Sequence, residues 1–260
     1  QMHTPYGATE ALPVATIAAS EVLSETAEQT DRGAGVCVGT KFDSVDWRVI
    51  CITDRPLATI DDAEELPRGE IGELIVRGAQ VSPAYVVDPA AARRDAASLN
   101  QRDAPIPHTP ANAIAKIADG DSVWHRLGDV GYFDEQARFW YCGRKAHRVT
   151  TAAGVMFTIP IEAQFNTHAA VRRAALVGVG SPGAQTPIVC IEPAAEFSAR
   201  AGGDFASASY QDLAAELAPL AKRIGVARIL FHPGFPVDVR HNAKIRREEL
   251  AAWATLQLQG

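Results

Sequence analysis

Residues 124–134 read Trp-His-Arg-Leu-Gly-Asp-Val-Gly-Tyr-Phe-Asp, and this stretch decides how the middle of the chain folds. Aromatic and β-branched side chains surround its small residues, a composition that is typical of strands. We therefore predict a strand, a turn and a second strand over Trp124–Tyr141, with Gly128, Gly131 and Asp134 at the turns.

Two further strands are predicted before this stretch. Val45–Thr53 is rich in β-branched and aromatic residues, and apolar and polar residues alternate along Glu70–Gly78. The segment from 88 to 121 differs, since it is full of Ala, Asp and Arg and contains closely spaced prolines. Residues 90–99 favour a short helix, but the prolines that follow would end it. We predict a mobile surface insertion over residues 88–121.

Beyond residue 143 the pattern changes to short strands and amphipathic helices. The predicted strands are Ala174–Gly178, Ile188–Glu192 and Arg228–His232, and the predicted helices are Ile161–His168, Tyr210–Ile224 and Ile245–Ala254. Ser209 is the predicted N-cap of the second helix, and Gly225 its C-cap. We place a domain boundary at residues 143–146, between a domain of residues 1–143 and a small domain of residues 144–260.

The composition of the 260 residues, with 47% hydrophobic and 22% charged, is that of a globular protein that can bury a core. A net charge of −6 argues against a nucleic-acid partner, which would require a basic face. No apolar run approaches membrane-spanning length, and no signal peptide is evident. Wide spacing of the cysteines predicts reduced thiols in a cytoplasmic protein. They are Cys37, Cys51, Cys142 and Cys190.

A chemically rich cluster stands near the start of the chain, at Tyr6-Gly7-Ala8-Thr9-Glu10. An aromatic ring can stack on a base, a hydroxyl can bind a phosphate oxygen, and a carboxylate can hold Mg²⁺. The same residues could instead form a tight turn in which Thr9 caps a following helix. Because so dense a motif begins within a few residues of Gln1, we expect that preceding sequence is missing.

Three more positions offer groups for nucleotide chemistry. Asp129 follows a glycine, so it can accept hydrogen bonds from both hydroxyls of a ribose or simply cap a turn. The pair Arg144 and Lys145 can bind an anion or form a solvated hinge. Lys244 stands among small residues before the last predicted helix, where it is either an exposed loop cation or a point charge for developing phosphate charge.

The order of these motifs resembles the late motif series of the adenylate-forming superfamily, which includes acyl-CoA synthetases, luciferases and peptide-synthetase adenylation domains. The series runs Tyr-Gly-x-Thr-Glu, then Gly-Glu-Leu-x-Val-x-Gly at Gly72–Gly78, then Arg-x-Gly-Asp, Gly-Arg and Asn-x-Lys-Ile, and it extends to about Leu250. The resemblance implies an α/β and α+β fold. It would consist of the C-terminal, β-rich part of a large adenylating domain, followed by a small mixed α/β lid domain.

The resemblance implies roles for four residues near the start of the chain. Tyr6 would stack on adenine, and Gly7 would belong to the same nucleotide site. Thr9 would contact phosphate as part of the catalytic set. Glu10 would ligate Mg²⁺, so the implied cofactors are ATP and Mg²⁺.

The later motifs supply the other implied contacts. Asp129 would bind the ribose hydroxyls, with Arg144 nearby. Lys244 would be brought over the nucleotide by the small domain, where it would bridge the acid carboxylate and the α-phosphate. Lys145 and Ala146 would form the hinge.

The chain departs from the superfamily pattern in two places. It has no early phosphate loop that is rich in Ser, Thr and Gly and ends in Lys, since residues 33–41 lack the hydroxyls and follow the first motif. The first half of the large domain is therefore expected to be absent. The hinge position two residues after Arg144 is Ala146 in place of the usual Asp or Lys. Lys145 or His147 would have to replace it, which puts the rotation used for thioester formation in doubt.

These departures resemble one branch of the superfamily, the β-lactone synthetases of bacterial long-chain olefin biosynthesis. Residues 142–149, 158–163 and 165–168 carry this resemblance. Such enzymes activate a β-hydroxy fatty acid as its adenylate, and the β-hydroxyl then displaces AMP to close a four-membered lactone. The implied partners are the fatty acid, the missing N-terminal half and other enzymes of the olefin pathway. Met2 and His3 are candidate substrate contacts.

Two other functions stay open. A fatty acyl-CoA or acyl-AMP ligase predicts AMP release that depends on coenzyme A, whereas lactone formation needs none. A non-catalytic fragment that serves as a regulatory or assembly module is the alternative from another class, and the missing phosphate loop is its best support.

Overall fold

The computed structural model describes residues 2–85, 109–238 and 241–259, with the backbone alone for residues 241–243. The helix predicted within residues 90–99 lies outside the described residues. The chain divides into two compact units. Unit 1 comprises residues 1–24 and 37–141, and unit 2 comprises residues 25–36 and 142–260. The domain boundary predicted at residues 143–146 stays a prediction.

Strands dominate the first part of the chain. In order they are β1 (His3–Ala8), β2 (Ala11–Ala18), β3 (Val36–Cys37), β4 (Thr40–Lys41), β5 (Val45–Ile50), β6 (Gly72–Gly78), β7 (Lys116–Asp119), β8 (Ser122–Phe133) and β9 (Phe139–Arg144). One sheet has the order β1-β2-β4, and a larger sheet has the order β3-β9-β8-β6-β5, with β7 paired to β8. The strands predicted from Val45 and Glu70 are confirmed with shorter bounds.

Short helical segments connect these strands. They are α1 (Ala19–Glu21), a π-helix (Val22–Thr26), α2 (Ala27–Asp31), a 3₁₀-helix (Ile60–Asp62) and α3 (Pro110–Ala115). Helix α3 and strand β7 occupy part of residues 88–121, which were predicted to form a mobile surface insertion. The helix forms because Thr109 accepts a hydrogen bond from the Asn112 amide and Pro110 sits in the first turn, where its missing N–H is not needed.

The first motif lies on the hairpin of β1 and β2. The register shifts between Tyr6 and Ala8, so Gly7 occupies an irregularity where an added Cβ would lie 2.4 Å from the carbonyl oxygen of Ala11. A glycine is needed for so close a backbone approach. Thr9 is in the hairpin turn and caps no helix, because the apolar and β-branched run that follows continues as a strand.

Strand β8 is longer than predicted, because Gly128 and Gly131 lie within it and not at turns. The pairing of β8 with β6 shifts register between Glu73 and Ile75, and Gly128 has φ of 70°, a left-handed conformation that favours glycine. The irregularity is thus a bulge that bends the strand without ending it. Only the turn predicted at Asp134 is confirmed.

Unit 2 mixes strands and helices, as predicted. Its strands are β10 (Val149–Thr151), β11 (Gly154–Met156), β12 (Val171–Val179), β13 (Thr186–Pro193), β14 (Arg228–Phe231), β15 (Val237–Asp238) and β16 (His241–Ile245). Its later helices are a 3₁₀-helix (Lys145–His147), α4 (Thr158–Asn166), α5 (Ala195–Ala201), α6 (Ala208–Arg223) and α7 (Arg247–Gln259). β12 and β13 are antiparallel, and β13 and β14 are parallel.

Three predicted helix starts are wrong. Helix α4 begins at Thr158 and not at Ile161. The N-cap of α6 is Ser207 and not Ser209, because Ser207 has the extended backbone that precedes a helix. The last helix begins at Arg247, because Ile245 belongs to strand β16 and pairs with β15. Gly225 does follow the end of α6, with φ of 78° as expected for a helix-ending glycine.

The central sheet of unit 2 is buried on both faces, as alternation along β12 shows. Ala174 and Leu176 belong to one apolar cluster, which includes Ile161 and Phe165 from α4 and Leu213, Leu217 and Ala221 from α6. Ala175 and Val177 belong to a second cluster with Leu250 and Ala254 from α7. Each helix contributes residues three or four positions apart, so one stripe of each helix is apolar.

Residues 25–36 belong to unit 2 although much of unit 1 follows them in the chain. Gly33, with φ of 93°, lies so close to α4 that an added Cβ would be 2.6 Å from the Pro160 carbonyl oxygen. The thiol of Cys142 donates a long hydrogen bond, 3.9 Å, to the carbonyl oxygen of Ala34. This short segment is therefore an integral part of unit 2.

None of the helices within the described ranges is long and apolar enough to span a membrane. The four cysteines are free thiols, as predicted. Burial raises the pKa of Cys37 to about 11 and the pKa of Cys142 and Cys190 to about 12. These three thiols are therefore protonated and unreactive near neutral pH.

Candidate functional site

Tyr6 and Asp129, taken from two separate motifs, meet in unit 1. The Tyr6 hydroxyl donates a hydrogen bond of 2.5 Å to Oδ2 of Asp129 across 123 positions of sequence. The Gly128 bulge carries Asp129, which is 6% exposed. A phenol that donates to a carboxylate forms a charge-assisted bond, which is stronger than one between neutral groups. The pair therefore holds the carboxylate in one orientation.

The ring of Tyr6 rests on other aromatic residues. Its centroid lies 6.1 Å from that of Phe139 and 6.3 Å from that of Tyr141, both on β9. Tyr6 remains half-buried at the border of the unit 1 core. An aromatic ring so supported offers a firm apolar surface to a planar ligand.

Glu10, at the end of the first motif, accepts a hydrogen bond of 2.9 Å from the hydroxyl of Tyr85. Burial acts to raise the pKa of the Glu10 carboxyl, but the hydrogen bonds from its own backbone amide and from Tyr85 act against it. The positive fields of His125 and Lys116 act in the same direction, and the net result is a pKa below the ordinary glutamate value. Glu10 is therefore an anion near neutral pH.

Lys116 is one of the cations whose charge acts on Glu10, and it is only 3% exposed. Its Nζ donates to the carbonyl oxygen of Ser82 and lies 5.3 Å from the ring centroid of Tyr85. Burial lowers the pKa of Lys116 to about 8, although the Glu10 carboxylate acts to raise it. At pH 7 the ammonium of Lys116 is therefore still charged in most molecules.

Arg126, from the same Arg-x-Gly-Asp motif as Asp129, has a structural role. It forms an ion pair with Glu73 in which both side chains are 1% exposed. Its guanidinium also donates to the carbonyl oxygens of Arg55 and Ile114, at 2.9 and 3.2 Å. A buried ion pair needs such additional hydrogen bonds to offset its lost hydration. Arg126 thus fixes β8 against β6 beside Asp129.

The predicted hinge residues lie in unit 2 at the end of β9. Arg144 and Ala146 are exposed, Lys145 is half-buried, and the 3₁₀-helix Lys145–His147 follows Arg144. Burial lowers the pKa of His147 below its ordinary value, and the positive charges of Arg144 and Lys244 contribute in the same direction. The imidazole of His147 is therefore neutral at pH 7.

Lys244 is exposed on strand β16 of unit 2. Three residues further on, Arg247 forms two hydrogen bonds to the buried carboxylate of Glu162, at 2.5 and 2.9 Å. Arg247 also donates to the Leu176 carbonyl oxygen at 3.0 Å. These hydrogen bonds fix the first residue of helix α7. Strand β16, which carries Lys244, ends at Ile245, two residues before Arg247.

The predicted site residues thus fall into two groups. Unit 1 contains Met2, His3, Tyr6, Gly7, Thr9, Glu10 and Asp129, and unit 2 contains Arg144, Lys145, Ala146 and Lys244. The structure joins Tyr6 to Asp129, while Met2, His3 and Thr9 are exposed.

The described residues contain no group of three or more His, Cys, Asp and Glu side chains that could hold a metal ion. Glu10 nevertheless fits the preference of Mg²⁺, which is often held by one or two carboxylates together with waters and substrate phosphates. A single ionised carboxylate is therefore a suitable protein ligand for Mg²⁺.

Sequence reasoning missed Tyr85, Asn112 and Lys116. Tyr85 and Lys116 lie 75 and 106 positions beyond Glu10, and no local pattern pairs them with it. One signal was available in the sequence, because Lys116 interrupts the apolar run Ile114-Ala-Lys-Ile117. A lysine in such a run is either exposed on a strand or buried beside a partner, and the second case would have indicated a site.

The fold of this chain matches that of the C-terminal part of adenylate-forming enzymes. ATP-bound MatB from Rhodopseudomonas palustris superposes with a TM-score of 0.62 at 17% identity, covering 97% of this chain and 40% of that one. The o-succinylbenzoate CoA synthetase from Bacillus subtilis, in complex with its acyl-adenylate intermediate, gives 0.62 at 16% identity, covering 95% and 40%.

Among curated proteins, the chain is 44% identical over 264 residues to the olefin β-lactone synthetase of Stenotrophomonas maltophilia. The alignment covers 100% of this chain and 43% of that relative, so the chain spans less than half of the relative's length. A scan against protein-family models gives no match.

Proposed function

We propose that this chain is the nucleotide-handling C-terminal part of an enzyme that uses ATP and Mg²⁺ to activate a β-hydroxy fatty acid and close it to a β-lactone. The whole-length similarity to an olefin β-lactone synthetase supports this substrate class. The observation that carries the proposal is the contact between Tyr6 and Asp129, which unites two motifs of the series in one site.

The side chains of unit 1 bind the nucleotide. Tyr6 offers its ring to adenine, and Asp129 accepts hydrogen bonds from the ribose hydroxyls. Thr9, exposed in the hairpin turn with Gly7 before it, donates to a phosphate oxygen. Glu10 is the ligand for Mg²⁺, which when bound offsets phosphate charge and favours departure of pyrophosphate.

The cations of unit 2 act on the reacting groups. A fatty carboxylate attacks the α-phosphorus of ATP, the new O–P bond forms, and the bond to pyrophosphate breaks. Two anions must approach in this step, so the ammonium of Lys244 stabilises the charge that develops between them. Arg144 assists at the nucleotide, and Lys145 with Ala146 serves as the hinge of unit 2.

The lactone then closes without a second substrate. The β-hydroxyl oxygen attacks the acyl carbon, its proton is released to water, and AMP departs with the electrons of the broken bond. An internal nucleophile has a high effective molarity, so coenzyme A is not required. Met2 and His3 are proposed to contact the fatty acid.

We propose that the activity needs the N-terminal part present in the longer relatives, and that other olefin-pathway enzymes receive the lactone. Free thiols fit a reducing, cytoplasmic compartment. The test is an assay of the full-length protein with ATP and a β-hydroxy fatty acid, with and without coenzyme A. AMP and lactone are expected in both assays.

The assay also separates the alternatives. A thioester formed only with coenzyme A, and no lactone, would identify a fatty acyl-CoA ligase. Accumulation of the adenylate alone would identify an acyl-AMP ligase. Absence of nucleotide binding by the full-length protein would identify a non-catalytic module.

A further inference from the structure

The main chain of Tyr85 is held by a single buried side chain. Asn112, which is 0% exposed, accepts a hydrogen bond from the Tyr85 amide at 2.7 Å and donates one to the Tyr85 carbonyl oxygen at 3.2 Å. The carboxamide thus serves both polar groups of one residue, as a neighbouring strand would. It fixes where the Tyr85 side chain begins.

The ring of Tyr85 is confined as well. The Lys116 ammonium lies 5.3 Å from the ring centroid, and the His125 imidazole meets the ring edge-on with centroids 6.2 Å apart. His125 is itself held, since Nδ1 lies 3.1 Å from the Ala115 carbonyl oxygen. With backbone and ring both restrained, the phenol hydroxyl reaches Oε1 of Glu10 at 2.9 Å.

We propose that Tyr85, held by Asn112, is a positioning residue that orients the Glu10 carboxylate for Mg²⁺ and the phosphates of ATP. A carboxylate has about four lone-pair sites, so a hydrogen bond from Tyr85 leaves acceptor capacity for a metal ion. Residues that orient a metal ligand commonly change metal affinity when removed. This inference rests on the proposed function, in which Glu10 is the Mg²⁺ ligand.

The test is the Tyr85→Phe variant of the full-length protein, because it removes the hydroxyl and keeps the ring. Mn²⁺ affinity is measured by electron paramagnetic resonance with α,β-methylene ATP present, alongside the thermal unfolding midpoint. We expect Mn²⁺ binding roughly 10- to 100-fold weaker. The matched control is Tyr210→Phe, a buried tyrosine of unit 2 whose hydroxyl lies 3.5 Å from Ser198 Oγ. It should bind Mn²⁺ as the unmodified protein does.

A double-mutant cycle separates positioning from folding. In the Glu10→Gln background, Tyr85→Phe should cause no further loss of Mn²⁺ affinity, because the hydroxyl acts through Glu10. Asn112→Asp, which keeps one acceptor and loses the donor, should weaken Mn²⁺ binding in the same direction as Tyr85→Phe. Equal losses from Tyr85→Phe in both backgrounds, or no loss in either, would overturn the proposal.

The same measurements distinguish this inference from the proposed function. If the unmodified protein binds Mn²⁺ and nucleotide through Glu10 and Tyr85 but releases no AMP from any fatty acid, the proposed reaction fails and the positioning role stands. If lactone forms normally and Tyr85→Phe leaves Mn²⁺ affinity unchanged, only the positioning role fails. An unmodified protein that binds no Mn²⁺ with nucleotide overturns both.

Discussion

The hydroxyl of Tyr6 and the carboxylate of Asp129 are 2.5 Å apart, although one lies on a hairpin and the other on the longest strand of the adjoining sheet of unit 1. Their contact depends on the Gly128 bulge and on the irregularity at Gly7, and both irregularities require glycine. Two motifs that are separately ambiguous thus become one site.

Replacing Tyr6 with Phe is expected to weaken ATP binding about tenfold, which corresponds to about 1.4 kcal/mol. The ring is kept, but Asp129 loses the donor that orients it toward a ribose. The dissociation constant for ATP in the full-length protein is measured by isothermal titration calorimetry. Tyr132→Phe, on the same strand as Asp129, is the control, and equal effects of the two changes would contradict the role of Tyr6.

Lys244→Ala is expected to lower the rate of pyrophosphate release by at least about 100-fold, a loss typical of removing a group that stabilises transition-state charge. The fold should be unaffected, because Lys244 is exposed. Pyrophosphate release and the thermal unfolding midpoint are measured together. Lys222→Ala, an exposed lysine in the last turn of α6, should leave both unchanged. Full activity of Lys244→Ala would reject its proposed role.

Arg247→Met should lower the free energy of unfolding by about 3–5 kcal/mol, because the buried carboxylate of Glu162 would lose its partner. Burial already raises the pKa of Glu162, although Arg247 acts to lower it. The neighbouring Arg246→Met is the control, since its pair with Glu249 is exposed to solvent and contributes little to stability. Urea denaturation that shows similar losses for both variants would contradict an anchoring role for Arg247.

The stability of unit 2 should depend on the ionisation of Glu192. Burial acts to raise the pKa of this carboxyl, but the Phe235 amide and the guanidinium of Arg173 outweigh it, and the pKa lies below the ordinary value of 4.5. A carboxyl with a lowered pKa in the folded state adds stability above pH 4.5 and loses it as the pH falls through the folded-state pKa.

Glu192→Gln should therefore lower the free energy of unfolding by about 1–3 kcal/mol at pH 7. The difference from the unmodified protein should shrink progressively below pH 4.5, the ordinary glutamate pKa. Urea denaturation from pH 3 to 7 measures it. Glu216→Gln, which removes an exposed partner of His168, provides the comparison. A difference that grows as the pH falls would have the wrong sign for this account.

The elements that the sequence predicts well are those with strong period or composition. The strand from Val45 is of this kind because its β-branched and aromatic residues favour a strand. The helix that contains Leu213 and Leu217 is of this kind because apolar residues four positions apart give it one buried stripe. The helix caps considered at Thr9 and Ser209 are wrong, because a hydroxyl residue near a turn is as suitable for a hairpin as for a helix cap.

The chemistry near Glu10 could be predicted only in part. The resemblance pointed to Tyr6, Glu10 and Asp129, but nothing local indicated that Tyr85 and Lys116 would lie beside Glu10. Such contacts depend on strand register, which a sequence pattern does not specify over a separation of 75 positions. The positions of Tyr85 and Lys116 relative to Glu10 therefore depend on how distant strands pair, and not on the secondary-structure propensity of the residues.

The placement of residues 25–36 within unit 2 has a practical consequence for exchanging parts between related enzymes. A recombinant that changes donor only once, near Cys142, would combine the Gly33 segment of one parent with the Pro160 and Gln164 surface of the other. Since that surface leaves no room for even one added carbon, mismatched parents would clash there. To transplant unit 2 intact, chimeras of such enzymes need two further crossovers, one before Glu25 and one after Val36.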